Sequence, residues 1–540
     1  MGQIQQRLLI GVIFCLASGA GGQTPRFYPD DPVWKEPKPR AAGDLQLRKL
    51  SDYYDFVQNT FSYPGERQSK SEPIGAKNVN TLGEVPDSPW YTNRHARNPM
   101  SPEELARGPD VGNPPSTEGS WVVTKAKSEG VTPGFEVNDS RGMHYWLKFD
   151  PLGNAEMATG ADVIGSAFFH ALGYNVPEYY VVHFDRKQLA ITPDSKYTDA
   201  RGKSRRMSER DVEEILRNVP HDRDGRYRAI ASRIIPGKRI GEFRYYGTRK
   251  DDPNDTVPHE HRRELRGLFV FCAWLDHEDS RAINTYDALV YEDGVRFVRH
   301  YLIDFGSLLG SGSTKPNSPR SGNEYLFAVK PSLVQFFTLG LYVPRWAKAD
   351  YPNMPSVGRF EYILFEPERF KPDYPNPAFA NCLPDDAFWA AKQVMTIGDE
   401  HIRAVARKAQ FSDPQAETWI VHCLTERRNK VGRAYFAKLL PLDRFHVASG
   451  RLAFDDLAVQ YGFAAPRQYR IRWFHFDNAS NRLAALPEEG TASLPRAVLR
   501  AAAGDYFAAR IDAQDERKVV TAFLRTTGGN PEIVGIDRTW

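Results

Sequence analysis

The octapeptide HEDSRAIN, residues 277–284, links the apolar run LFVFCAWL at 268–275 to a strand-like segment that follows it. Three charged side chains and an amide therefore lie in a short connection between two segments whose composition favours burial. Taken alone, such a connection is more often a solvated turn than a functional loop. Its neighbours along the chain decide between these interpretations.

The next segment, TYDALVYEDGVRFVRHYLIDFG at 285–306, predicts a β-hairpin that turns at Glu292-Asp293-Gly294. The sequence then has an Asp in a loop, an Asn five residues on and a second Asp after the hairpin: Asp279, Asn284 and Asp304. Phosphoryl transfer from ATP uses these groups. One carboxylate accepts or orients the proton of the nucleophile, while the amide oxygen and the second carboxylate hold Mg²⁺.

The elements before the octapeptide have a definite order. Three strands are predicted in WVVTKAK, FEVND and MHYWLKFD (121–150), followed by a helix over 155–172 that stops at Gly173. Two more strands are predicted in VPEYYVVHF (176–184) and YRAIASRII (227–235), separated by a polar insertion with one helix at 208–218. After Pro236-Gly237 the chain turns helical, in HRRELRGLFVFCAWL at 261–275.

HEDSRAIN has the spacing HxDxxxxN, and IDFG follows it after one hairpin. With this order of elements, residues 120–430 resemble the protein-kinase-like superfamily, and the stretch ALGYNVPEYYVV (171–182) is suggestive of its divergent bacterial members, the HipA-type and CotH-type kinases. The resemblance implies an α+β, bilobal fold. Its N-lobe of five strands and one helix would span 116–235, with a hinge at Ile235–Gly237 and a helical C-lobe over 236–440.

The resemblance also implies site residues. Lys148, in the third strand, matches the lysine that binds the α and β phosphates, and its expected partner is Glu156, with Asp162 as the alternative. Asp279 would be the catalytic carboxylate and Asn284 and Asp304 the metal ligands, with ATP and Mg²⁺ as cofactors.

Two further parts of the cofactor site follow from the same resemblance. The turn EGVTPG (129–134) would cover the phosphates with backbone N–H groups, because Gly130 and Gly134 permit a close approach. Ile235 at the hinge would complete the cofactor site.

The sequence departs from the family pattern at four points. The turn is not GxGxxG, and Glu156 lies only eight residues beyond Lys148. Asp276 is near enough to rival Asp279 as the proton acceptor. Glu278 replaces the usual Arg beside the catalytic Asp, which argues against control by a phosphate on the activation loop.

Composition bounds the class of protein. The chain has 540 residues, 41% hydrophobic, and a formal charge of +3 from 71 basic and 68 acidic residues. A chain of this length and composition can bury at least one large core, and two or three domains are expected. The balanced charge gives no reason to expect nucleic acid or an anionic membrane as the main partner.

The first twenty residues predict an export signal, with one Arg, the apolar run LLIGVIFCLA and small residues before a cleavage site after Ala20. No later segment is long and apolar enough to span a bilayer. The mature protein is therefore expected to be soluble outside the cytoplasm, periplasmic or extracellular. Its three cysteines predict neither a disulfide framework nor a zinc site, and leave a Cys382–Cys423 bridge open.

Two regions flank the kinase-like part. Residues 21–115, rich in Pro, Asp, Arg and Asn, are expected to form an extended arm that packs on the main body. Residues 441–540 predict a small β-rich domain. His259 and His261, two apart at a helix start, are expected on the surface.

Two functional hypotheses follow from the sequence. The first is an exported kinase-like phosphotransferase that uses ATP and Mg²⁺ on an unknown protein or glycan acceptor. The second is a catalytically inactive, kinase-like binding or scaffold protein of the cell envelope. No binding pocket for an acceptor can be recognised in the sequence, which leaves open whether the protein is an enzyme.

Overall fold

The structure, a computed structural model, is a mixed α/β molecule with several sheets. It describes residues 24–69, 71–127, 134–199, 203–328, 333–334, 336–338, 341–489, 491–528 and 531–540. The predicted export signal and Gly130 lie outside the described residues. No helix in the described ranges is long and apolar enough to cross a membrane.

The first half of the chain forms a seven-stranded sheet. Two short helices precede it, and its elements are, in chain order, α1 (Asp52–Val57), α2 (Pro102–Arg107), β1 (Trp121–Lys127), β2 (Gly134–Asn138), β3 (His144–Lys148), α3 (Met157–Ala171), β4 (Tyr179–Phe184), β5 (Leu189–Thr198), β6 (Ser204–Arg206), α4 (Glu209–Leu216) and β7 (Tyr227–Arg233). The strand order is β4-β7-β3-β2-β1-β5-β6.

The prediction of five strands is wrong, because the polar insertion supplies two more. β5 pairs in parallel with β1, and β6 pairs with β5 at the edge of the sheet. β6 is exposed at every position and only two positions of β5 are buried, so neither strand has the alternating pattern that predicts a strand. The predicted insertion helix is confirmed as α4.

A second, three-stranded sheet follows the break at Pro236-Gly237. It consists of β8 (Lys238–Gly241), β9 (Thr285–Glu292) and β10 (Val295–Leu302) in the order β10-β9-β8, and α5 (Arg263–Leu275) lies between β8 and β9 in the chain. Gly237 has φ of 95°, and a Cβ there would lie 2.6 Å from the Leu289 carbonyl oxygen, so this link requires glycine. The predicted hairpin is confirmed.

The rest of the chain is helical and then β-rich, as its composition predicts. Its elements are α6 (Pro377–Ala380), α7 (Pro384–Thr396), α8 (Asp399–Lys408), α9 (Pro414–Phe436), β11 (Leu442–Ala448), β12 (Arg451–Asp456), α10 (Leu457–Gln460), β13 (Arg470–Asp477), β14 (Arg482–Glu489), α11 (Arg496–Leu499), β15 (Tyr506–Asp512), β16 (Val519–Thr526) and β17 (Pro531–Arg538). Strands β13 to β17 form a five-stranded sheet and β11 pairs with β12.

The largest core joins α3 and α5 to helices α7 to α9. It contains Phe168 and Phe169 of α3, Trp274 of α5 and Trp389 of α7, together with Phe305 from the IDFG segment. A separate core lies within the seven-stranded sheet and α4. The IDFG segment is therefore anchored in the largest core through Phe305.

Two smaller predictions have clear outcomes. Cys272, Cys382 and Cys423 are all free thiols, so the bridge left open by the sequence is absent. The surface position expected for His259 and His261 is wrong. Both rings are buried, with His259 bonded to Asp255 at 2.8 Å and His261 to Glu66 at 2.7 Å.

Candidate functional site

Lys148, Asp162 and Asp304 come together from three different elements. The Lys148 ammonium nitrogen lies 2.6 Å from Asp304 Oδ1 and 3.8 Å from Asp162 Oδ2. Burial alone would lower the pKa of Lys148, but the Asp162 and Asp304 carboxylates outweigh it and raise that pKa. The Lys148 side chain therefore remains a cation at neutral pH in a largely enclosed place.

Strand pairing fixes Lys148 in this position. It is the last residue of β3 and pairs with Gly134 on β2 and with Ile230 on β7. A Cβ on Gly134 would lie 2.3 Å from the Leu147 carbonyl oxygen, so glycine is required there by the close approach of β2 to β3. Of the predicted phosphate-covering turn, Gly134 is the only residue that the structure describes.

The IDFG segment is held by side chains from α3 and β4. The Asp304 N–H donates to the Tyr179 hydroxyl at 3.3 Å, and the Phe305 N–H donates to Asp162 Oδ1 at 2.9 Å. Asp304 has φ of 64°, in the left-handed region that Asp tolerates better than most residues. The Phe305 ring is fully buried and stacks on Phe169 at 5.1 Å.

The loop at 277–284 is tied to the end of the same hairpin. The Asn284 side-chain Nδ2 donates to the Asp279 carbonyl oxygen at 2.8 Å, and the Ile303 N–H donates to the Asn284 carbonyl oxygen at 3.1 Å. These two bonds place Asn284 beside the segment that carries Asp304. They leave the side-chain oxygen of Asn284 as the atom that could bind a ligand.

Asp279 is enclosed by polar partners. Its Oδ1 bonds to Arg281, and its Oδ2 accepts from the Ser307 hydroxyl at 3.4 Å. Burial raises the pKa of Asp279, Arg281 opposes that rise, and the negative charge of Asp304 adds to it. Ser307 follows Asp304 by three residues, so its contact ties the Asp279 carboxylate to the IDFG segment.

Arg281 connects the loop to two other regions. It bonds to Asp52 of α1 at 2.9 Å, and its Nε lies 3.9 Å from Asp373. Burial and the negative charge of Asp279 raise the pKa of Asp373 to about 7. Sequence analysis missed Asp52, Ser307 and Asp373, because only tertiary contacts bring them to this loop. It gave no role to Arg281, although Arg281 lies two residues after Asp279.

A cavity of about 480 Å³ adjoins these groups. Lys148, Asn284 and Asp304 line one part of it. The rest of the lining mixes apolar and charged side chains, namely Ala126, Trp146, Ile234, Ile235, Ile283 and Ile303 with Lys125, Arg233, Arg239 and Glu242. A cavity of this size, with partly apolar walls and several charged groups, suits a ligand that has a flat apolar part and an anionic part.

The residues present fit a magnesium ion that is shared with phosphate groups. Among the described residues, no group of three or more His, Cys, Asp or Glu side chains could hold a metal ion by itself. Mg²⁺ does not require such a group, since it commonly takes one or two carboxylates and completes its shell with phosphates and water. Asn284 and Asp304 line the same cavity and supply oxygens of the right kind.

Some predicted residues lie elsewhere. Glu156 precedes the first residue of α3 and its Oε2 accepts from the Ser412 N–H at 2.9 Å, so Asp162, a turn and a half further on, faces Lys148 instead. Asp276 lies 3.5 Å from Arg427 and lines a different cavity. Glu278 is buried and accepts from the Asn317 amide. Of Asp276, Glu278 and Asp279, it is Asp279 whose carbonyl oxygen accepts the hydrogen bond from Asn284.

Comparison with known proteins adds little. No family model and no curated protein matches the chain. One solved structure, described as the crystal structure of the golgi casein kinase, is similar over 76% of this chain and 96% of that chain, with 9% sequence identity and a TM-score of 0.29. This is a weak likeness to a kinase structure, and at this TM-score it carries no argument.

Proposed function

We propose that the protein is an exported, kinase-like phosphotransferase that uses ATP and Mg²⁺ on a protein or glycan acceptor. The observation that carries the proposal is the meeting of Lys148, Asn284 and Asp304 in the lining of one cavity whose walls are partly apolar. A lysine, an amide and a carboxylate in this relation are the groups that bind Mg²⁺ and the phosphates of ATP.

The proposal includes a bilobal arrangement. The seven-stranded sheet with α3 would be the N-lobe, and α5 with α7 to α9 the helical C-lobe. Residues 234–237 connect the sheet to β8, and Ile234 and Ile235 line the cavity at this connection. Export rests on the predicted signal at residues 1–20.

Each side chain then has a chemical role. Lys148 would bind phosphate oxygens, while Asn284 and Asp304 would hold the metal ion. When bound, Mg²⁺ and ATP would supply the transferable phosphoryl group and offset its negative charge. Asp279 would accept the proton of the acceptor hydroxyl. Its raised pKa strengthens it as a base, and Arg281 keeps the carboxylate in place.

Thermal unfolding with and without ATP and Mg²⁺ tests the proposal. The wild type should gain a few degrees in Tm at saturating nucleotide, because a ligand that binds only the folded state stabilises it. Asp304→Ala should lose this gain. Asp224→Ala, in an exposed turn, is the matched control and should keep it. A wild type that shows no gain would refute the nucleotide site.

A second candidate, a binding or scaffold protein without catalysis, is favoured by one observation. Both carboxylate oxygens of Asp279 already have partners, Arg281 and Ser307. Incubation with γ-labelled ATP and an extract of envelope proteins and glycans separates the two candidates. Label on an acceptor that disappears with Asp279→Asn supports transfer. A nucleotide-dependent gain in Tm without any labelled acceptor supports the second candidate.

A further inference from the structure

The exposed apolar side chains of the described residues concentrate in one region. We call this region the aromatic face. It combines exposed side chains from the first helix of the arm and the residues after it with exposed side chains from the segment after the IDFG motif, namely Tyr53, Tyr54, Phe61, Tyr63, Leu326, Phe327, Leu333, Val334, Phe336, Phe337, Leu341, Tyr342 and Val343. Soluble monomers seldom expose a set of this size unless it binds something.

Contacts within the structure hold the parts of this face together. The rings of Phe61 and Phe327 lie 5.2 Å apart, which joins the arm to the later segment. The Trp346 ring N–H donates to Glu324 at 2.8 Å, which ties the residues after Val343 back to those before Leu326. Two distant stretches of the chain therefore meet at Phe61 and Phe327, and the later stretch is tied together on both sides of its exposed apolar residues.

The form of the face suits a deformable apolar medium better than a protein partner. Phe336, Phe337 and Leu341 are 72%, 77% and 85% exposed, so their side chains project from the surface and do not line a groove. None of the described residues from 333 to 344 carries a charge. A protein interface normally combines its apolar centre with polar residues and hydrogen bonds, and these positions offer few such groups.

The border of the face matches the headgroup layer of a neutral lipid. Exposed Lys348 follows Trp346, and exposed Arg67 lies over the Tyr63 ring at 4.8 Å. Asp350 is exposed two residues after Lys348, so the border carries charges of both signs. Cations with an aromatic ring beside a projecting apolar set are typical of segments that lie in a membrane interface. The mixed charge favours zwitterionic over anionic lipid.

We propose that the aromatic face docks the protein on a membrane surface by inserting apolar side chains among neutral lipids. The face borders the Asp279 side of the candidate site, since the Leu326 N–H donates to the Asp373 carbonyl oxygen at 2.7 Å and the Asp373 carboxylate lies beside Arg281. Docking would bring Asp279 close to the lipid. One consequence rests on the proposed function: the acceptor hydroxyl would belong to a molecule held at that membrane.

Flotation of the purified protein with phosphatidylcholine vesicles tests the docking. The wild type should float with the vesicles at both 0.15 M and 1 M NaCl (roughly physiological and high ionic strength), because apolar insertion is not screened by salt. Phe336→Ser combined with Phe337→Ser should lower the floated fraction about tenfold or more, since two rings leave the lipid. Leu152→Ser combined with Tyr291→Ser removes two exposed apolar side chains outside the face and should leave flotation unchanged.

Three results would overturn the proposal. The first is a wild-type protein that does not float with the vesicles. The second is binding that requires phosphatidylserine and is lost at 1 M NaCl. The third is a protein that does not bind vesicles but self-associates, with the self-association abolished by the Phe336 and Phe337 substitutions. The last would assign the face to a second copy of the chain. Flotation needs no nucleotide, so its failure leaves the ATP-dependent gain in Tm, and with it the proposed function, untouched.

Discussion

At the scale of single residues, Lys148 is the cation on which the candidate site depends. Lys148→Met keeps much of the volume but leaves buried Asp162 without its cation, so it should cost roughly 3–5 kcal/mol of stability, and the gain in Tm with ATP and Mg²⁺ should disappear. Differential scanning fluorimetry measures both effects. Lys187→Met, whose side chain is 83% exposed, is the matched control and should keep the gain. A Lys148→Met protein that retains the gain would place the phosphates elsewhere.

Asp373 predicts a pH dependence. Its pKa is about 7 in the fold and about 3.9 in an unfolded chain, so the folded state binds the proton more tightly between these values. The free energy of unfolding contributed by this group is therefore highest at low pH and falls as pH rises from about 4 to about 7. Asp373→Asn removes the ionisable carboxyl group, and with it this fall in the free energy of unfolding as pH rises.

The stability of Asp373→Asn relative to wild type should thus increase through that window, on the order of a few kcal/mol, and stay constant above it. Urea unfolding at a series of pH values measures the difference. Asp224→Asn, at a carboxylate that is 80% exposed, should give a difference that does not change with pH. A difference for Asp373→Asn that is equally flat would contradict the raised pKa.

At this scale, sequence analysis identified the candidate site residues better than the contacts that each of them makes. Asp279, Asn284 and Asp304 follow from spacing, and the structure places Asn284 and Asp304 on one cavity with Asp279 bonded to Asn284. The choice between Glu156 and Asp162 depends on where α3 begins. Periodicity locates such a boundary only to within a few residues.

At the scale of elements, α3 has a glycine where it crosses the IDFG segment. A Cβ on Gly165 would lie 2.4 Å from Leu308 Cδ1 and 2.7 Å from Phe305 Cβ. Gly165→Ala should therefore destabilise the protein by about 1–3 kcal/mol through overpacking, although alanine favours helix by about 1 kcal/mol. It should also weaken the nucleotide-dependent gain in Tm, since Phe305 adjoins Asp304.

Gly153→Ala is the control for this change. A Cβ there meets nothing within 4 Å and its φ is not positive, so the substitution should leave stability almost unchanged. Chemical unfolding of the two variants gives the comparison. If Gly165→Ala is as stable as the wild type, α3 and the IDFG segment pack less closely than they do in the structure.

Strongly patterned elements could be predicted, and the two strands of the polar insertion could not. Helices α3 and α5 and the hairpin of β9 and β10 are confirmed, because their apolar positions repeat with one clear period or turn at Asp293-Gly294. β5 was missed because it pairs with β1 in parallel across more than sixty residues of sequence. Tertiary packing determines this pairing, and no local sequence pattern indicates it.

At the scale of the whole molecule, the N-terminal residues tie distant parts of the chain together. Arg26 pairs with Asp537 at 2.6 Å, the Ala42 N–H donates to the Arg296 carbonyl oxygen at 2.7 Å, and Asp52 reaches Arg281. The aromatic residues of this region predicted that it packs on a larger body. Where it packs depends on contacts hundreds of residues away, which composition does not encode.

The start of this region is anchored by Phe27. Its ring is 2% exposed and lies 5.2 Å from Phe523 and 5.8 Å from Phe476 of the five-stranded sheet. Phe27→Ala should remove about 3–5 kcal/mol of packing and free the first described residues for proteolysis. The gain in Tm with ATP and Mg²⁺ should persist, because Phe27 packs in a core separate from that of Phe305.

Limited proteolysis followed by mass spectrometry measures this release. Tyr28→Ala is the neighbouring control, and its 50% exposed ring should make little difference to cleavage. If Phe27→Ala is cleaved as slowly as wild type, the packing of this region does not depend on that ring. A second outcome is faster cleavage together with loss of the nucleotide-dependent gain in Tm. In that case the contacts of Ala42 and Asp52 would couple the N-terminal region to the loop of Asp279, and this region would be needed for nucleotide binding.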